Sequence, residues 1–141
     1  DPHHAEDLIA ATDLVLLDLK LIDREGHIAL TGQPNDRILN FAGWLADRNR
    51  NVWIRHVLVP GITDGYEDLN RLGAFIGGLG NVSKVELLPY HRMGVYKWAQ
   101  LGRDYPLDGV PTPSEEEVRR ARGIVDAARS RSLAAAPAQS R

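Results

Sequence analysis

The sequence predicts an α/β fold in which three parallel strands alternate with helices. Three observations carry this: apolar runs of strand length, helical periodicity between them, and charged residues at or just past the strand ends. The first run is Asp13-Leu14-Val15-Leu16-Leu17-Asp18-Leu19-Lys20, which reads as a strand buried on both faces of a parallel sheet. Alternation puts Asp18 and Lys20 on one face with Leu14 and Leu16. Charges on a buried strand are costly unless paired or given something to hold. In barrel-like α/β folds, ligand chemistry gathers at the carboxyl ends of the strands. The pair is therefore either a ligand site, a buried ion pair, or the point where the strand meets water.

The helix expected after this strand starts at Asn35-Asp36-Arg37 and shows Ile38, Phe41, Ala42 and Leu45 on one face. A second strand, Val52 to Val59, stops at Pro60-Gly61 and places Arg55 on a face with Trp53, Val57 and Val59. Asp64 can cap the following helix, whose Leu69, Leu72, Ile76 and Leu79 repeat at helical spacing. The third strand, from Val85, is ended by Pro89, which has no N–H for the ladder, and His91 follows at its tip. Ser114-Glu115-Glu116-Glu117 reads as a capping box after Pro113, with Val118, Ala121, Val125 and Ala128 as the buried stripe. Strands and helices in this order imply right-handed crossovers. Side by side, the strands would bring Asp18, Lys20, Arg55 and His91 to one rim, with both sheet edges bare.

A chain of 141 residues with 43% hydrophobic content and a net charge of −2 suits one folded domain, expected here over 1–128 with a disordered tail over 129–141. Neither a basic stripe nor interleaved aromatics point to nucleic acid, and no apolar stretch is long enough for a membrane span. The opening Asp1-Pro2-His3-His4 has no initiator methionine, which suggests a processed piece or a truncated reading. His3 and His4 read as solvated, Glu115 to Glu117 as a favourable helix start, and Gly77-Gly78 with Gly80 as a helix end. Trp44 and Trp53 read as packing residues.

Asp13 through Lys20, Trp53-Ile54-Arg55 with Val59-Pro60-Gly61, Asn81-Val82 and Glu86-Leu87-Leu88-Pro89-Tyr90-His91 closely resemble the carboxyl half of pyruvate formate-lyase activating enzymes. Lys97-Trp98 and Tyr105-Pro106-Leu107-Asp108-Gly109-Val110 continue the likeness, which runs from about Asp7 to Ala128. The resemblance implies the carboxyl-terminal half, about three βα units, of a partial (β/α)6 TIM-like radical S-adenosylmethionine barrel. Such enzymes use S-adenosylmethionine and a [4Fe–4S] cluster to generate a glycyl radical on pyruvate formate-lyase. They draw the electron from a flavodoxin or ferredoxin, in an anaerobic cytoplasm.

Carried over by position, the resemblance implies that Asp18 and Lys20 lie beside the methionyl and ribose parts of S-adenosylmethionine, and that Asp18 also binds a monovalent cation. It implies Arg55 near the methionyl carboxylate and the substrate peptide, Val57 as apolar wall near the adenosyl group, and His91 as a ribose and substrate contact. The family's CxxxCxxC loop, which binds the cluster, has no counterpart, since the chain contains no cysteine. The expectation is a fragment that is inactive alone, cut from an active [formate-C-acetyltransferase]-activating enzyme. An activase of another glycyl radical enzyme, such as a diol dehydratase, and a non-catalytic half-barrel that docks a protein are the alternatives.

Overall fold

A computed structural model describes residues 2–92 and 95–135, without the side chains of residues 2–4. The expected exposure of His3 and His4 and the fate of residues 136–141 lie outside what is described. Strands β1 (Val15–Asp18), β2 (Val52–Leu58) and β3 (Val82–Pro89) form a parallel sheet in the order β1-β2-β3. Helix α1 (Pro2–Ala10) precedes it. Helices α2 (Arg24–Thr31) and α3 (Asp36–Asp47) follow β1, α4 (Tyr66–Leu79) follows β2, and α5 (Val95–Gln100) and α6 (Glu115–Ala135) follow β3. Among the described residues β1 and β3 each pair only with β2, so both edges are bare as expected.

The register sets Asp18 opposite Arg55 and Arg55 opposite Glu86. One face of the sheet is packed: Leu17 and Leu19 of the first strand segment, Val52, Ile54 and Leu58 of β2, and Leu87 of β3 are buried. They meet Ala42 and Leu45 of α3, Leu69, Leu72 and Ile76 of α4, and Ala121 and Val125 of α6 in a single core. The other face is open. Leu16, Val57 and Leu88 are 48%, 45% and 37% exposed there, so the first strand is buried on one face and not on both. Its unbroken apolar run misled because Leu16 is apolar without being covered.

Local chemistry explains the element ends. Ser114 and Glu117 form the expected capping box: Ser114 N–H donates to Glu117 Oε2 at 2.7 Å, and Glu117 N–H donates to Ser114 Oγ at 3.2 Å. The Ser114 N–H, and then the Ser114 hydroxyl, hold the Glu117 carboxyl below its usual range. Ser114→Ala should cost about 1 kcal/mol of stability, the usual value of an N-cap, readable in a urea melt. Asp64 does not cap α4. Its Oδ1 accepts from Gly61 N–H at 2.8 Å in the preceding turn, and Gly65 is the N-cap residue.

Helix α2 was not anticipated, although Asp23 accepts from Gly26 N–H at its start and Gly32 (φ 75°) ends it in the left-handed region. Gly80 (φ 74°) ends α4 as expected, but Gly77 lies inside that helix against α6. Helix α6 continues past the expected boundary at 128 to Ala135. Polar contacts hold this stretch, with Arg129 Nη2 donating to Val82 O at 2.7 Å and Ser132 Oγ to Ala74 O at 2.8 Å. Small and polar residues that read as a tail are thus fastened to β3 and α4.

Candidate functional site

The open sheet face leads to the candidate site. β1 ends at Asp18, and Lys20 exits on the same side two residues later, because alternate side chains share a face. Parallel pairing places Arg55 beside Asp18, and Arg55 Nε donates to Asp18 Oδ1 at 2.7 Å. The two side chains are 37% and 56% exposed, so this is not a buried ion pair, and it is worth at most about 1 kcal/mol of stability. Its effect is to fix the two side chains at the mouth of a cavity.

That cavity has a volume of about 390 Å³. Asp18, Lys20 and Arg55 supply its charged side, while Val57, Val59 and Leu30 are among its apolar lining. Lys20 has neither a hydrogen bond nor an ion pair among the described residues. Three of the four expected rim residues are therefore brought together, along with Val57. His91 is not: it is exposed one residue beyond buried Tyr90, and Tyr90 rather than His91 lines the cavity.

Several supporting residues escaped the sequence reading. Thr63 Oγ1 donates to Val57 O and accepts from Val59 N–H, each at 2.8 Å, which folds the β2–α4 loop over the strand end. His56 is buried beneath the site, its Nδ1 2.9 Å from Leu19 O and its Nε2 3.3 Å from Thr63 O. Burial lowers its pKa, outweighing the two carbonyls and Asp68, which favour the charged form. Tyr90 donates or accepts through its hydroxyl to the Tyr105 hydroxyl. Burial, and then that bond, push the Tyr90 hydroxyl up to about 12. Alternation could have flagged His56, one position from Arg55 and so on the packed face.

The residues expected to pack fall into two kinds. Trp44 stacks on Phe41 with centroids 5.8 Å apart, under the Arg48 guanidinium. Trp53 lies on the open face with Lys84 Nζ 4.6 Å above its ring. Trp98, half-buried within α5, meets Tyr105 edge-on. No helix of the described residues is long and apolar enough to cross a membrane.

Comparison with known proteins agrees with the motif reading. Over 118 residues the chain is 55% identical to enzymes from Staphylococcus epidermidis and from Staphylococcus aureus strain USA300, covering 84% of this chain and 47% of each relative. Both are pyruvate formate-lyase-activating enzymes. The chain spans about half the length of these curated relatives. A crystal structure of a domain of a pyruvate-formate lyase-activating enzyme from Bacteroides vulgatus superposes with a TM-score of 0.73. It covers 91% of this chain and 70% of that one at 23% identity, a likeness of fold. The three-stranded parallel unit thus shares the fold of that domain. No protein-family model matches the sequence.

Proposed function

We propose that the chain is part of an activating enzyme that installs a glycyl radical on pyruvate formate-lyase, and that its share is to hold S-adenosylmethionine. The observation that carries this reading is the meeting of Asp18, Lys20, Arg55 and Val57 around one cavity past the parallel strand ends. Its volume lies within the range of about 300–1,000 Å³ usual for small-molecule sites. The donor set fits a ligand with an ammonium, a carboxylate and ribose hydroxyls. Asp18 accepts from an ammonium or hydroxyl, and Lys20 donates to ribose or carboxylate oxygens. Arg55 keeps guanidinium N–H groups beyond the one given to Asp18, suited to a carboxylate or to peptide carbonyls of the substrate.

Bound there, S-adenosylmethionine supplies the adenosyl group for hydrogen-atom abstraction. Asp18 Oδ1 is held by Arg55, which leaves Oδ2 for the proposed monovalent cation. His91, exposed at the rim, suits contact with the substrate protein better than with the cavity. The [4Fe–4S] cluster does not fit this chain. It calls for thiolates, the sequence has none, and no group of three or more His, Asp or Glu among the described residues could hold a metal. The cluster ligands, and with them activity and reduction by flavodoxin or ferredoxin, are proposed to lie outside this chain. Alone it is proposed inactive, and its setting cytoplasmic.

The test is an equilibrium titration of the chain with S-adenosylmethionine. Lys20→Ala should weaken binding by about 1–3 kcal/mol, the usual range for a lost charge-assisted hydrogen bond. Unchanged affinity overturns the assignment. The uncovered face with Leu16, Val57 and Leu88 favours a second reading, a half-barrel that docks another protein. Absence of any binding by the unaltered chain would select it.

A further inference from the structure

The segment between α5 and α6 has no strand or helix of its own, yet it reaches the cavity. Leu107, half-buried, lines it together with residues at the strand ends. With Leu30 it also lines a neighbouring cavity of about 560 Å³ that holds Asp23, Asp68 and Arg71, so these two leucines stand between the two spaces. A loop takes such a position only if something fastens it.

The fastening is aromatic. Tyr90 is tied into the sheet, its N–H donating to Leu58 O at 3.1 Å, and its hydroxyl bonds the Tyr105 hydroxyl. Trp98 packs its edge against Tyr105 with centroids 5.9 Å apart. Asp108 N–H donates to Tyr105 O at 3.0 Å and Val110 N–H to Leu107 O at 3.1 Å, so the turn carrying Leu107 is built directly on Tyr105. A further link, Arg92 to Asp108 at 3.4 Å, is an exposed ion pair, a kind that contributes little.

We propose that residues 101–110 form a clipped wall of the cavity, in which Leu107 contacts bound ligand and Tyr105, acting through Tyr90, is the residue that positions it. The ligand part rests on the S-adenosylmethionine reading. Leu107 adds to the apolar lining of Leu30, Val57 and Val59 in a cavity that also holds Asp18, Lys20 and Arg55. A ligand with a charged amino-acid end and a flat, weakly polar end suits that mixed lining, and a wall held shut keeps its apolar end dry.

Because the chain has no cysteine, one introduced thiol reports on closure. The experiment is the maleimide labelling rate of Leu30→Cys, with Lys84→Cys on the open sheet face as control for general loosening. Tyr105→Phe keeps the ring against Trp98 and removes one hydroxyl. It should raise the rate at position 30 at least fivefold and leave that at position 84 unchanged. Equal rates at position 30 with and without the hydroxyl, or a parallel rise at both sites, overturn the clipped wall. Added S-adenosylmethionine should slow labelling at position 30 when Tyr105 is intact. If it does not, the ligand part is overturned, while the ligand-free rates still decide the wall.

Discussion

Replacing Gly73 by alanine is expected to destabilise the chain by about 2–3 kcal/mol, the scale of overpacking a tight contact. Alanine is intrinsically better in a helix than glycine by roughly 1 kcal/mol, so the naive sign is the opposite. The geometry reverses it. A Cβ at Gly73 would stand 2.4 Å from Val125 O and 2.7 Å from Ala128 Cβ. The first neighbour is backbone, which cannot turn aside like a flexible side chain. Helix α6 must therefore move off α4, opening the core around Leu69, Leu72 and Val125. Gly77 repeats the contact one turn on, with Arg129 O at 2.5 Å. Gly43 of α3 is the control, since a Cβ there meets nothing within 4 Å. Gly43→Ala should stabilise by about 0.5–1 kcal/mol, the ordinary helix gain. Urea melts followed by circular dichroism would read both, and equal effects at positions 43 and 73 would refute the close α4–α6 packing.

The glycines show why some of the fold was legible and some was not. Strands with apolar runs, and the helix stripes of α3, α4 and α6, announce themselves because the core repeats at their periods. Gly77 does not, since a glycine that ends a helix and one that admits another helix look alike in sequence. Helix α2 contributes no buried residue, so its stripe is absent. Only Asp23 and Gly32, at cap spacing, mark its ends. Arg129 and Ser132 carry α6 onward through hydrogen bonds to carbonyls of distant elements, partners that no local pattern reveals.

The site divides the same way. Asp18, Lys20 and Arg55 were legible because charges in apolar strands stand out, and parallel register then aligned them. Tyr90 and Leu107 were not, being apolar or amphipathic residues whose role comes from where a long connection lands. His91 drew attention as a histidine at a strand tip, and the chain turns it outward.

His56→Ala is expected to cost about 3 kcal/mol, combining a core cavity with a buried carbonyl left without a donor. The imidazole joins two parts of the cavity from beneath. Leu19 O, which it meets at 2.9 Å, belongs to the residue between Asp18 and Lys20, and Thr63 O belongs to the loop that also lines the site. Both partners are acceptors, so the neutral ring can donate to only one, and the shorter contact assigns its hydrogen to Nδ1. The charged ring would donate to both, but burial prevails and lowers the pKa.

The pH dependence follows in sign. A folded-state pKa below the unfolded value of about 6.5 means the unfolded chain takes up the proton more readily. The contribution is present above that value and is lost as pH falls through the folded pKa. His56→Gln retains a donor for Leu19 O without titrating. Its stability should fall less than that of the unaltered chain between pH 7 and pH 5 in paired urea melts. Parallel pH profiles would show that His56 titrates alike folded and unfolded, and would refute the lowering that its burial imposes.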